Sequence, residues 1–180
     1  MNNQIVELVD YDPIWPDQFV AQSVVLTAQL LSWLAGPIEH VGSTAVPGLK
    51  AKPVVDMLAL VWSLTQARAA LPILQAAGWL FWPEDPNRHY RMWFLRPNPA
   101  ARTHHLQIIQ HDHPGAAALL RFRDALRRDA GLRDSYASLK DRLSEIHRND
   151  RDPYTDAKSA FIREALAVHD GPLSPRQPIT

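Results

Sequence analysis

Gly42-Ser43-Thr44 and Asp56, with twelve residues between Ser43 and the aspartate, are the residues whose types and spacing suit chemistry. Small residues in a turn let the backbone approach a phosphate, and hydroxyls and turn amides can hydrogen-bond its oxygens. A carboxylate close by can hold a cation. Asp56 stands in Val54-Val55-Asp56-Met57-Leu58-Ala59-Leu60-Val61, which is otherwise the pattern of a buried strand. Burying an unpaired ionised carboxylate costs several kcal/mol, so Asp56 requires a partner. The candidates are a metal ion, Lys52, an Arg or His from a neighbouring strand, or the amides of the Gly42-Ser43-Thr44 turn. The plainer alternative is that Gly42 permits a tight turn, Ser43 and Thr44 cap it, and Asp56 is a satisfied buried acid.

The elements around these residues follow from periodicity. Ile38 to Val41 alternates apolar and polar and ends at Gly42, as a half-buried strand does; it carries His40. Arg91 to Leu95 and Thr103 to Gln110 form a predicted hairpin. Period two puts His105, Gln107 and Ile109 on one side of the second strand and His104, Leu106 and Ile108 on the other, so His105 and Gln107 can share a pocket with Asp56. A short edge strand is expected over Ile5 to Val9, a helix from Pro16 to Leu34, and a second helix from a Ser63 cap to Ala77. Three more helices are expected, over Ala116 to Arg128, Tyr136 to His147 and Pro153 to His169, with a turn at Asn149-Asp150-Arg151. The last presents Tyr154 and Lys158 four residues apart, where both can point at a phosphate. A surface lysine paired with a neighbouring acid is the alternative for Lys158. Strands and helices in this order suit an α+β domain.

Bulk composition narrows the classes. A chain of 180 residues with 46% hydrophobic content builds one substantial core, so a single domain over residues 1–170 is expected, with a disordered tail at 171–180. Lysine plus arginine equals aspartate plus glutamate at 19 each, which gives no general attraction to nucleic acid or anionic membranes. There are no cysteines, so disulfides, thiolate catalysis and Cys-based zinc sites are excluded. The N-terminal residues have no basic segment followed by an apolar one and no apolar run approaches about 18 residues, so neither a signal peptide nor a membrane span is expected, and cytoplasmic localisation is.

The string EHVGSTAVPGLKAKPVVDM resembles the EHxGSTxVPGLxxKPxxD block of the GrpB-like family. Tyr11-Asp12-Pro13, Trp15, Arg102 to Leu106, Phe122-Arg123-Asp124, Tyr136 to Lys140, Tyr154 and Lys158 to Ile162 are similar to that family in the same order, over residues 5 to 168. The resemblance implies a polymerase-beta-type nucleotidyltransferase fold: a mixed sheet packed with helices, followed by a C-terminal helical portion. It also implies Mg²⁺ at Asp56 and no organic cofactor. Two departures stand out. Nucleotidyltransferases carry a second acid two residues after the first, where this chain has Leu58, and Gln107 stands where GrpB-like proteins read histidine.

One expectation is therefore an enzyme of nucleotidyltransferase type. Asp56 and His105 are its catalytic candidates, and His40, Gly42, Ser43, Thr44, Lys52, Arg91, Gln107, Tyr154 and Lys158 contact a nucleotide or other phosphorylated small molecule. The alternative is a non-catalytic phosphate- or nucleotide-binding module, or a folding or interaction partner linked to coenzyme A metabolism. A third possibility is hydrolysis at a zinc held by His40, His105 and Asp56. Oligomeric state is not legible in this sequence.

Overall fold

The computed structural model describes residues 7–146 and 151–168, with residues 151–157 as backbone alone. Five strands make one mixed sheet: β1 (Glu39–Val41), β2 (Val55–Val61), β3 (Leu80–Phe81), β4 (Arg91–Arg96) and β5 (His104–Gln110). Their order is β1-β2-β5-β4-β3, with β2 and β5 parallel and every other pair antiparallel. The near-continuous apolar run of β2 follows from its place inside the sheet, where both faces are covered.

Alternation along β2 sorts those faces. Val55, Met57, Ala59 and Val61 join Leu106 and Ile108 in a core closed by Leu26 and Leu30 of α1 (Ile14–Leu30) and by Ala67 and Leu74 of α2 (Leu64–Ala67) and α3 (Leu71–Ala76). Leu58 and Leu60 face the other way, with Ile109, onto Ala116 and Leu120 of α4 (Pro114–Arg128). Asp56 shares their face, two residues before Leu58. A third cluster packs Val46 and Leu49, from the loop after β1, on Leu126, on Tyr136 of α5 (Ala130–Ile146) and on Phe161 of α6 (Arg151–Val168). The loop that carries the Gly-Ser-Thr turn is thereby fastened to the helical C-terminal portion. The α+β architecture is as expected.

Several boundaries differ from the expectation, among them the starts of α4 at Pro114 and of α6 at Arg151. The first helix starts at Ile14, whose amide is taken by Asp12 Oδ1 at 2.9 Å, and stops at Leu30, because Leu34 leaves to bridge Val61. The helix foreseen from Ser63 to Ala77 is broken by a 3₁₀ turn over Arg68–Ala70, since Pro72 lacks an amide hydrogen and its ring cannot follow a continuous α-turn. Ser63 does cap its start, accepting from Gln66 N at 3.3 Å. Helix α5 begins six residues before Tyr136, where Asp129 Oδ1 accepts from Leu132 N at 2.9 Å. Val9 pairs with Ala51 as an isolated bridge. Ile5 and Val6, Asn149 and Asp150 of the expected turn and the tail 171–180 lie outside the described residues, while Arg151, expected in that turn, is the first residue of α6. No helix among the described residues is long and apolar enough to cross a membrane.

Candidate functional site

Parallel pairing of β2 with β5 places Asp56 directly opposite His105, on the same face of the sheet. His105 Nδ1 lies 2.9 Å from Asp56 Oδ1. The carboxylate oxygen accepts, so Nδ1 donates the hydrogen and the ring's other nitrogen is Nε2. That Nε2 is buried with no hydrogen-bond partner among the described residues. On its other side Asp56 stands against Gly42, at φ 74° and ψ −171°, because β1 pairs Val41 with Asp56 and the chain turns immediately after.

The Ser43–Ala45 3₁₀ turn is fixed from below. Thr44 Oγ1 donates to Val54 O at 3.2 Å, so it accepts from His40 Nε2 at 3.0 Å. His40 is stacked on Phe19, with ring centroids 4.8 Å apart. Burial holds its pKa down to about 4, helped by the charges of Arg127, Arg123 and His104 and opposed by Asp56. From α4, Arg127 Nε donates to Ala45 O at 2.9 Å. Arg123 donates to Glu39 Oε2 at 2.7 Å, to His40 O at 3.1 Å and to Asp124 Oδ1 at 2.8 Å. Burial opposes the charge on Arg123, but these hydrogen bonds and carboxylates outweigh it and raise its pKa.

Above the turn lies a cavity of about 210 Å³, lined by Ser43, Thr44, Lys52, Asp56, His105, Lys140 and Lys158 together with apolar atoms of Leu8, Ala51 and Val54. Three lysines thus stand around one carboxylate. Lys140 is only 2% exposed. Its ammonium donates to Lys50 O, lies 3.3 Å from Ser43 Oγ and sits 5.0 Å from the centre of the Tyr136 ring. Burial first, and the charge of Lys158 second, lower its pKa to about 7, with Asp141 opposing.

The structure brings Ser43, Thr44, Lys52, Asp56, His105 and Lys158 to one cavity, with Gly42 beside them. His40 stands behind the turn, hydrogen-bonded to Thr44, and does not line the cavity. Arg91 and Gln107 do not line the cavity. The register pairs Arg91 with Ile109, and its guanidinium is taken by Asp85 at 2.6 and 2.8 Å and by Gln107 Oε1 at 2.7 Å. Asp85 is 1% exposed and demands that counter-charge. The side chain of Tyr154 lies outside the described residues. Lys140 is the residue that sequence reasoning left out of the site. Its signal was a charge on the apolar face of a helix, at helical spacing from Tyr136 and Leu143, both buried.

The fit to a metal is narrow. Among the described residues no group of three or more His, Asp or Glu side chains stands together to hold an ion, so His40, His105 and Asp56 do not form a zinc site. Leu58, at the position of the missing second acid, is fully buried against α4. A two-ion site therefore does not fit these residues.

Comparison with known proteins agrees with the architecture. The family model described as GrpB protein matches residues 5–167. A UPF0157 protein of Pseudomonas aeruginosa is 38% identical over 167 residues, which are 89% of this chain and 66% of that protein. The crystal structure of conserved protein GrpB from Enterococcus faecalis superposes with a TM-score of 0.81 at 29% identity, covering 92% of this chain and all of that one. A dephospho-CoA kinase of Mycolicibacterium paratuberculosis is 30% identical over 184 residues, 89% of this chain but 45% of the kinase.

Proposed function

The chain belongs to the GrpB family, and from that premise we propose that it binds a nucleotide or other phosphorylated small molecule through its phosphate, in the cavity between the Ser43–Ala45 turn and the C-terminal helices. The observation that carries this is the convergence of Lys52, Lys140 and Lys158 with the Ser43 and Thr44 hydroxyls on one cavity. Charge-assisted hydrogen bonds from lysines are the strong contacts available to a phosphate. A volume of about 210 Å³ is below the roughly 300–1,000 Å³ of pockets that enclose a whole ligand. It fits the phosphate portion of a molecule whose remainder lies outside. The kinase relative motivates including dephospho-coenzyme A, which carries a diphosphate, among the ligands tested.

Transfer chemistry is the second reading, favoured by the Asp56–His105 pair. The two line the cavity together, hydrogen-bonded at 2.9 Å, and the Asp56 carboxylate is placed to accept the proton of an attacking hydroxyl at a phosphoryl group. This is the expected nucleotidyltransferase-like activity with a histidine in place of the second acid, and any Mg²⁺ would rest on Asp56 and the phosphates themselves.

Thermal melts with pyrophosphate, nucleoside triphosphates and dephospho-coenzyme A, with and without Mg²⁺, test the binding. A ligand at 100 times its Kd adds about 2.7 kcal/mol, several degrees for a chain of this size. Lys158→Ala weakens that binding about tenfold or more, the loss of one charge-assisted contact. If no phosphate compound moves the melt, the proposal fails. Turnover that survives both Asp56→Asn and His105→Gln would exclude the catalytic role of the pair.

A further inference from the structure

Lys140 combines burial with access to a cavity. Its side chain is buried, with the ammonium over the Tyr136 ring and at the cavity wall beside Ser43. The charged and titratable groups around it are Lys158 from α6, Asp141 on its own helix, Lys50 and Lys52 from the loop after the turn, and Asp56 with His105 across the cavity. Asp141 is drawn instead to Lys50, at 3.9 Å, and Lys50 gives Lys140 its carbonyl rather than a charge. The neighbour that most strongly influences its charge is thus another ammonium. A lysine desolvated by burial and set beside a second cation is the arrangement that activates an amine as a nucleophile.

We propose that Lys140 is a nucleophilic amine that condenses with a phosphorylated aldehyde or ketone held in this cavity, forming an imine. The proposal rests on the phosphate-binding reading above, because Lys52, Lys158, Ser43 and Thr44 are the groups that anchor the phosphate while the carbonyl meets Nζ. The Nζ lone pair adds to the carbonyl carbon, and the amine proton passes to the carbonyl oxygen. Loss of water from the resulting carbinolamine leaves the C=N bond. One water is released, and nothing is oxidised or reduced. His105 lines the same cavity, held by Asp56 through Nδ1. With its pKa near 7, about half of Lys140 is neutral at pH 7, roughly a thousandfold more than for a surface lysine.

Pyridoxal 5′-phosphate is the probe. The full chain is incubated with it at pH 7, reduced with borohydride and mapped by peptide mass. The adduct is expected on Lys140, with a rate whose pH midpoint lies near 7, protection by inorganic phosphate, and reaction with pyridoxal lacking the phosphate slower by about tenfold or more. Lys158→Ala, a change at a partly exposed position, moves that midpoint upward, which a purely structural Lys140 would not produce. Adduct spread over surface lysines with Lys140 unmodified overturns the inference, and if inorganic phosphate still raises the melting temperature the phosphate reading stands without it. Equal labelling by pyridoxal and its phosphate, with no protection by inorganic phosphate, overturns both the choice of ligand and the phosphate reading.

Discussion

A Cβ on Gly42 would lie 2.5 Å from Asp56 Oδ2, so the absence of a side chain at position 42 is what lets the carboxylate stand against the turn. The backbone there, at φ 74° and ψ −171°, is a conformation that only glycine adopts without strain. Gly42→Ala therefore suffers twice, from about 1–3 kcal/mol of backbone strain and from displacement of Asp56. Gly48, at φ 76°, has no atom within 4 Å of the Cβ position, so Gly48→Ala feels the backbone cost alone. The Tm of Gly42→Ala is expected to fall further than that of Gly48→Ala, at about 2–4 °C per kcal/mol for a chain of this length. Equal falls would mean that the contact with Asp56 carries no energy.

His40 sets an acid limit on stability. The folded ring takes a proton only near pH 4, against 6.5 for an unperturbed histidine. Between those values the unfolded chain binds more protons than the folded one, so stability is complete above about pH 6.5 and declines as pH falls through the window. The loss amounts to about 2–3 kcal/mol by pH 4. Urea unfolding at pH 4.5 and 6.5 should differ less for His40→Gln, which keeps a donor for Thr44 and does not titrate. An unchanged difference would assign the acid limb to other groups.

Much of this arrangement was legible in the residues, and the remainder was hidden for physical reasons. Alternation over Ile38 to Val41 and Thr103 to Gln110 was enough to find β1 and β5 and to put His105 on a face that can meet Asp56. The register that makes them opposite joins residues 49 apart in sequence and is set by packing on both faces of the sheet rather than by any local signal. Arg91 was expected at a phosphate because nothing local tells that Asp85, in an aperiodic loop, is buried and takes it. Lys140 was hidden differently: helical spacing puts it on the inner face of α5, but the carbonyl of Lys50 that receives it belongs to a loop 90 residues away.

Arg123 joins α4 to β1 through Glu39, the carbonyl of His40 and Asp124. Arg123→Ala removes the guanidinium that Glu39 and Asp124 share, and Asp124 is only 3% exposed. Removing one partner of a buried ion pair costs about 3–5 kcal/mol. Lysine at the same position restores a charge but not the fork that reaches three acceptors, so Arg123→Lys is expected to fall between wild type and alanine. Chemical denaturation measures both, and a loss below about 1 kcal/mol in Arg123→Ala would show that the network contributes little to holding the turn.

The alkaline side belongs to Lys140. Its pKa is about 7 in the folded protein and 10.5 in the unfolded chain, so between these values the unfolded state binds the extra proton and stability rises with pH. Below pH 7 both states are charged and the full penalty of burying the ammonium applies; above about pH 10.5 both are neutral and it vanishes. Lys140→Met removes the titration and keeps much of the volume, at the constant cost of leaving the Lys50 carbonyl without its donor. The stability difference, wild type minus variant, is therefore expected to grow by a few kcal/mol between pH 7 and pH 10, whatever its sign at pH 7. A difference that stays flat across that range would place the Lys140 ammonium in water rather than in the wall of the cavity.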